Sequence, residues 1–124
     1  MIINGREVKF RRTVYGNCKI AEICPDKDIN RFNDLLNGDY VTSQNAAATF
    51  IAALSEGHEM WREYEDPGYK GKPITKNEAL MLGDDDFGAL FTEAINTFQG
   101  DGKQTVEAEE PKELKRKNAD GDGE

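Results

Sequence analysis

The densest cluster of side chains able to attract a cation is Asp84-Asp85-Asp86. These carboxylates lack the D-x-D-x-D-G spacing that wraps calcium. They stand where a helix is predicted to begin, and there a carboxylate accepts free N–H groups and complements the helix dipole. Capping is therefore the expected role. Asp120-Gly121-Asp122-Gly123-Glu124 faintly resembles a calcium loop, but it has too few ligands and no flanking helices. The single histidine, His58, has Glu56 and Glu59 nearby and is a formal candidate for a general base. Its place between Leu54 and Trp61 on an apolar stripe predicts a packed or boundary residue instead. No serine or cysteine stands in a recognisable nucleophile motif. Gly100-Asp101-Gly102-Lys103-Gln104-Thr105 departs from the G-x-x-x-x-G-K-[ST] order of a phosphate loop. Cys18 and Cys24 are six residues apart in one helical pattern, a rise of ~9 Å that is too long for a disulfide. Both are expected to be reduced, small and partly buried side chains. Two cysteines and one histidine also fall short of the four ligands of a structural zinc site. No catalytic residue, metal ion or cofactor is expected.

Side chains suited to gripping another protein are easier to find. Trp61 lies on the apolar stripe and is expected in the core. Tyr64 and Tyr69, at the edge of the stripe and in the loop beyond it, are candidate contact residues, because aromatic side chains are common interface anchors. Arg6, Lys9, Arg11 and Arg12 make the N-terminal segment basic in an otherwise acidic chain. One reading is a solvated strand face. The other is head-to-tail self-association, with Lys9, Arg11 and Arg12 meeting an acidic surface of a neighbouring copy.

The chain has 124 residues, 24 of them acidic and 16 basic, for a formal charge of −8. That balance disfavours a nucleic-acid binder, which needs cations to displace phosphate counterions. It disfavours a polybasic membrane binder for the same reason. No apolar run approaches the ~20 residues needed to span a bilayer. The N-terminus lacks a basic stretch followed by an apolar one, so no signal peptide is expected and a cytoplasmic location is the simplest outcome.

The elements that position these residues begin with a hairpin. Ile2-Ile3 and the alternating run Glu7–Arg11 flank Asn4-Gly5, whose residues suit the positive φ angles of a type I′ turn. Thr13 is placed to cap a helix over about Val14–Cys24, with Val14, Cys18 and Ala21 on its apolar side. Asp26 or Asp28 is placed to cap a short helix to about Asn37, stopped by Gly38. The longest pattern starts after Ser43 and runs to about Tyr64. In it Ala47, Phe50, Ile51, Leu54, His58 and Trp61 share one stripe. Gly57 interrupts it at a cost of ~1 kcal/mol relative to alanine. Thr75-Lys76-Asn77-Glu78 is a capping box opening a helix to about Leu82. Asp84 or Asp85 is placed to cap a last helix carrying Phe87, Leu90, Phe91, Ala94, Ile95 and Phe98. From Gly100 onward more than half the residues are charged, and only Val106, Ala108, Leu114 and Ala119 are apolar. Such a stretch cannot offset its ordering entropy and is expected to be a flexible tail, with a transient helix over Pro111–Lys117. The expected architecture is mainly α: a small multi-helix domain over residues 1–99 with an N-terminal β-hairpin, followed by a charged tail over 100–124.

The opening Met1-Ile2-Ile3-Asn4-Gly5-Arg6-Glu7-Val8-Lys9-Phe10, followed at once by an amphipathic helix, resembles the tail assembly chaperones of long-tailed phages. So do the acidic helical body with Ile51-Ala52-Ala53-Leu54 in its long helix, the late helix ending in Thr97-Phe98-Gln99, and the charged C-terminus. The resemblance is one of overall pattern and covers nearly the whole chain. It implies a non-enzymatic protein of a siphovirus or prophage that binds the tape measure protein, keeps it soluble and yields to tail tube subunits. It further implies self-association, residence in the host bacterial cytoplasm and absence from the mature virion. A longer form made by ribosomal frameshift near the C-terminus is also implied, and Lys117-Asn118 can be encoded by part of a slippery heptamer. The alternative reading is an acidic phage-encoded adaptor or inhibitor of a host protein. Its carboxylates are dispersed among bases rather than set in the rows expected of a nucleic-acid mimic.

Overall fold

The computed structural model describes residues 1–107, 119–120 and 122–123, with side chains through residue 100. Strands β1 (Ile2–Ile3) and β2 (Arg6–Glu7) pair antiparallel, Ile2 opposite Glu7 and Ile3 opposite Arg6. Asn4 and Gly5 make the turn with φ of 52° and 77°, as a type I′ turn requires. The Val8 N–H donates to the Met1 carbonyl at 2.8 Å, so pairing outlasts the formal strands. The period-two pattern holds. Ile3 and Val8 are buried and Phe10 half-buried, while Glu7, Lys9 and Arg11 are exposed. The hairpin finds the support it needs on the helical body, where the Arg11 N–H donates to the Leu54 carbonyl at 3.0 Å.

Helix α1 (Val14–Glu22) starts where Thr13 accepts from the Gly16 N–H through its Oγ1 at 2.9 Å. Its expected face is corrected: Val14 and Cys18 are exposed, and Gly16 and Ile20 are buried instead. The reason is the closeness of the helix crossing. A Cβ at Gly16 would lie 3.1 Å from the Ala53 carbonyl oxygen, so the glycine face turns inward and the bulkier valine outward. Cys24 falls outside α1, buried in the following turn, and both cysteines are free thiols. The single helix expected up to Asn37 is split. A tight turn (Pro25–Lys27) and a 3₁₀ turn (Ile29–Arg31) precede α2 (Phe32–Leu36), because Asp26 and Lys27 take φ of 57° and 54°, which no right-handed helix accommodates.

Helix α3 (Tyr40–Glu65) has 26 residues and is the hub on which α1, α2, α4 and α5 pack. It begins earlier than the apolar stripe suggests. Asp39 Oδ1 accepts from the Thr42 N–H at 2.7 Å and fixes the cap there. Burial spreads beyond the expected stripe to Ala46, Ala48, Ala53, Ser55, Gly57 and Glu59, since neighbours surround the helix on several sides. Helix α4 (Lys76–Leu80) opens with the expected capping box: Thr75 Oγ1 accepts from the Glu78 N–H and Glu78 Oε1 from the Thr75 N–H. Helix α5 (Asp84–Glu107) begins one step before its expected caps. The Gly83 carbonyl accepts from the Phe87 N–H at 2.9 Å, which puts all three aspartates inside the first turn. There they complement the dipole rather than serve as the N-cap itself. The helical backbone continues past Gly100 to Glu107. Residues β3 (Ala119–Asp120) and β4 (Asp122–Gly123) form a second small antiparallel pair. The helix expected over Pro111–Lys117 lies outside the described residues.

At the centre of the core, Phe50 stacks on Phe32 (centroids 5.0 Å apart) and meets Phe91 and Phe98 at 5.8 and 5.3 Å. The architecture is thus mainly α with an N-terminal hairpin. Among the described residues no helix is long and apolar enough to cross a membrane.

The two helix caps make stability depend on pH. The Thr42 backbone N–H holds the Asp39 carboxyl below its usual value, and the Thr75 N–H, with help from Arg6, does the same for Glu78. A depressed folded-state pKa means stabilisation that is complete above the unfolded value and lost as pH falls through the folded one. Thermal melts should therefore show Tm level from about pH 7 to 5 and falling below about pH 4, less steeply in the Asp39→Asn, Glu78→Gln double variant.

Candidate protein-binding surface

The first turn of α3 projects ahead of the alanines at which burial begins, leaving Tyr40 73% and Val41 68% exposed. The turn between α4 and α5 faces outward as well, with Leu80 exposed and Met81 84% exposed. Between them runs a groove of about 270 Å³, lined by Tyr40, Val41, Gln44, Leu80, Leu82 and Phe87, with Asp84 at its edge. Leu82 and Phe87 are half-buried against the core, so the floor is anchored while the walls are free. Asp39, Asp85 and Asp86 adjoin the lining residues in sequence, and among the described residues no lysine or arginine lines the groove. Scattered apolar exposure is ordinary, but four large exposed side chains in these two turns make this corner the candidate contact surface. Sequence reasoning missed this corner because it began α3 after Ser43. The signal available was Asp39-x-x-Thr42, a cap that places Tyr40 and Val41 in a helix but off its buried stripe.

A second cluster is polar. Glu59 is buried on α3. Its Oε1 accepts from the Tyr69 hydroxyl at 2.6 Å, and its Oε2 lies 2.9 Å from His58 Nδ1. The hydrogen bond to Glu59, with burial, holds the Tyr69 hydroxyl proton and raises its pKa. Gly71 permits this closeness, since any Cβ there would collide with Glu59 and the Tyr69 ring. The Ser55 hydroxyl accepts from the buried Ile74 N–H at 2.9 Å, and Arg6 donates to the Lys72 and Pro73 carbonyls and to Glu78. Together these bonds strap the segment 69–75 across α3. A cavity of about 460 Å³ opens beside Glu59, Tyr69, Arg6 and Glu78, and His58 is not part of its lining. A histidine paired with a carboxylate is oriented as a base would be. Among the described residues, however, its contacts are Glu59 and the Trp61 ring rather than a hydroxyl or thiol. Nor do the described residues include a group of three or more ligands placed to hold a metal ion.

The sequence candidates are dispersed. Lys9 is exposed on the hairpin and Tyr64 is 87% exposed near the end of α3. Tyr64 is ~36 Å along that helix from Tyr40. Arg11 lies over the Trp61 ring at 4.2 Å, which leaves Trp61 half-buried under a cation. Arg12 lies over Phe98 at 3.8 Å and donates to the Phe98 carbonyl at 3.1 Å. Tyr69 is half-buried, spent on Glu59 and covered by Arg62 at 4.6 Å. The hairpin cations are thus largely engaged with their own chain. Comparisons with protein-family models, curated proteins and solved structures return no match.

Proposed function

We infer that the chain is a tail assembly chaperone of a siphovirus or prophage, a non-enzymatic holdase for the tape measure protein. The observation that carries this reading is the groove between α3 and the α4–α5 turn, where Tyr40, Val41 and Leu80 stand exposed over an anchored floor, with Met81 exposed next to Leu80 in the same turn. A client built of amphipathic helices exposes apolar stripes before assembly, and such stripes are bound by apolar grooves between helices. The charge of −8 supports the same role, because it keeps a complex of many chains soluble. In this reading several copies associate along one client in the host bacterial cytoplasm. Tail tube subunits then displace them, so none remains in the mature virion. A frameshifted longer form would extend the charged C-terminus with a further client-binding segment, and the codons at Lys117-Asn118 decide whether it is made.

The test is co-expression with the tape measure protein encoded downstream. A soluble complex holding several copies per client is the expected result, and Tyr40→Asp with Met81→Asp should return the client to the pellet while the chaperone itself stays folded. A client that stays insoluble with both this chain and its longer form would overturn the reading.

A further inference from the structure

The acid rim of the groove has a chemical complement in the chain itself. Asp84 lines the groove, and the exposed Asp39 immediately precedes its wall residues Tyr40 and Val41 in sequence. Three of the N-terminal cations are engaged elsewhere, Arg6 on Glu78, Arg11 on Trp61 and Arg12 on Phe98. The other basic run is Lys112-Glu113-Leu114-Lys115-Arg116-Lys117, four cations around a single large apolar side chain. The groove, at about 270 Å³, is smaller than the ~300–1,000 Å³ of small-molecule sites and suits one apolar anchor with charged flanks. Reach decides which molecule supplies it. Helix α5 starts at the groove and carries the chain away over 24 residues, about 34 Å at 1.5 Å per residue. From Glu107 to Leu114 even a fully extended chain spans only ~25 Å. Leu114 therefore falls short of the groove of its own chain.

We propose that the Lys112–Lys117 segment of one copy docks in the groove of a second copy, with Leu114 entering beside Val41 and the cations meeting Asp84 and Asp39. The contact joins two different surfaces, so it propagates from copy to copy unless a ring closes. The aspartates it uses are exposed, and salt weakens it. It needs no client and stands independently of the chaperone reading.

Sedimentation velocity of the full chain tests it. The wild type should grow in mass with concentration at low salt, and associate about tenfold more weakly at high salt. Val41→Asp, at an exposed position, should be monomeric and folded. So should the triple variant Lys115→Glu, Arg116→Glu, Lys117→Glu. Mixed together, these two variants should form a heterodimer and stop there, one supplying the intact segment and the other the intact groove. A wild type that stays monomeric, a triple variant that associates like the wild type, or a mixture that stays monomeric would each overturn the proposal. So would a monomeric wild type that takes up a lysine-flanked apolar peptide through Val41, which would give the groove to another partner.

Discussion

Phe50→Ala should destabilise the fold by about 3–5 kcal/mol, read as a fall in the denaturant midpoint at unchanged slope. Phe50 is 2% exposed. Its ring is the shared contact of Phe32 from α2 and of Phe91 and Phe98 from α5, so truncation opens a void that three neighbours line. Stiff aromatic rings held by separate helices cannot collapse into that void, which places the cost toward the upper part of the range for such substitutions. A domain of this size has about 5–15 kcal/mol of stability in all. The variant should therefore be partly unfolded well below the wild-type Tm. Phe50→Leu, which keeps most of the volume, should retain a single cooperative transition.

Gly57→Ala should also destabilise, by about 1–2 kcal/mol net, although alanine is the better helix former by ~1 kcal/mol. The new Cβ would stand 2.7 Å from the Arg11 carbonyl oxygen and 2.9 Å from Thr13 Oγ1. That backbone cannot step aside, because the Arg11 N–H is bonded to the Leu54 carbonyl one turn away. The hairpin linker would have to lift from α3, taking the Thr13 cap with it. Gly88 supplies the contrast. It lies exposed in α5 with nothing near its missing Cβ, so Gly88→Ala should raise stability by up to ~1 kcal/mol. Paired thermal melts of the two variants should move Tm in opposite directions.

Local chemistry made much of this fold legible. Asn4-Gly5, Thr13 and the Thr75–Glu78 box each act through atoms a few residues apart, and each sits where its spacing places it. What sequence could not supply was the set of distances between elements. Gly57 looks like a flaw in a helix until Arg11 is seen lying across it. Val14 and Cys18 have helical spacing and apolar character, yet Gly16 takes the inward face because the crossing is too close for a larger residue. Tyr69 looks like a free contact in a loop, but a buried carboxylate ten residues earlier claims its hydroxyl. The groove stayed hidden for a related reason: its walls come from the first turn of α3 and from a turn some forty residues later.

The two thiols differ in a way that turns the molecule into its own clock. Cys18 is exposed, whereas Cys24 is buried, donates to the Ile20 carbonyl at 3.3 Å, and has its pKa pushed up by burial. An alkylating reagent that needs the thiolate reaches the first at once and the second only when the turn after α1 opens. The rate at which a second adduct appears by mass spectrometry then counts opening events in the native population, with no dye, denaturant or introduced residue.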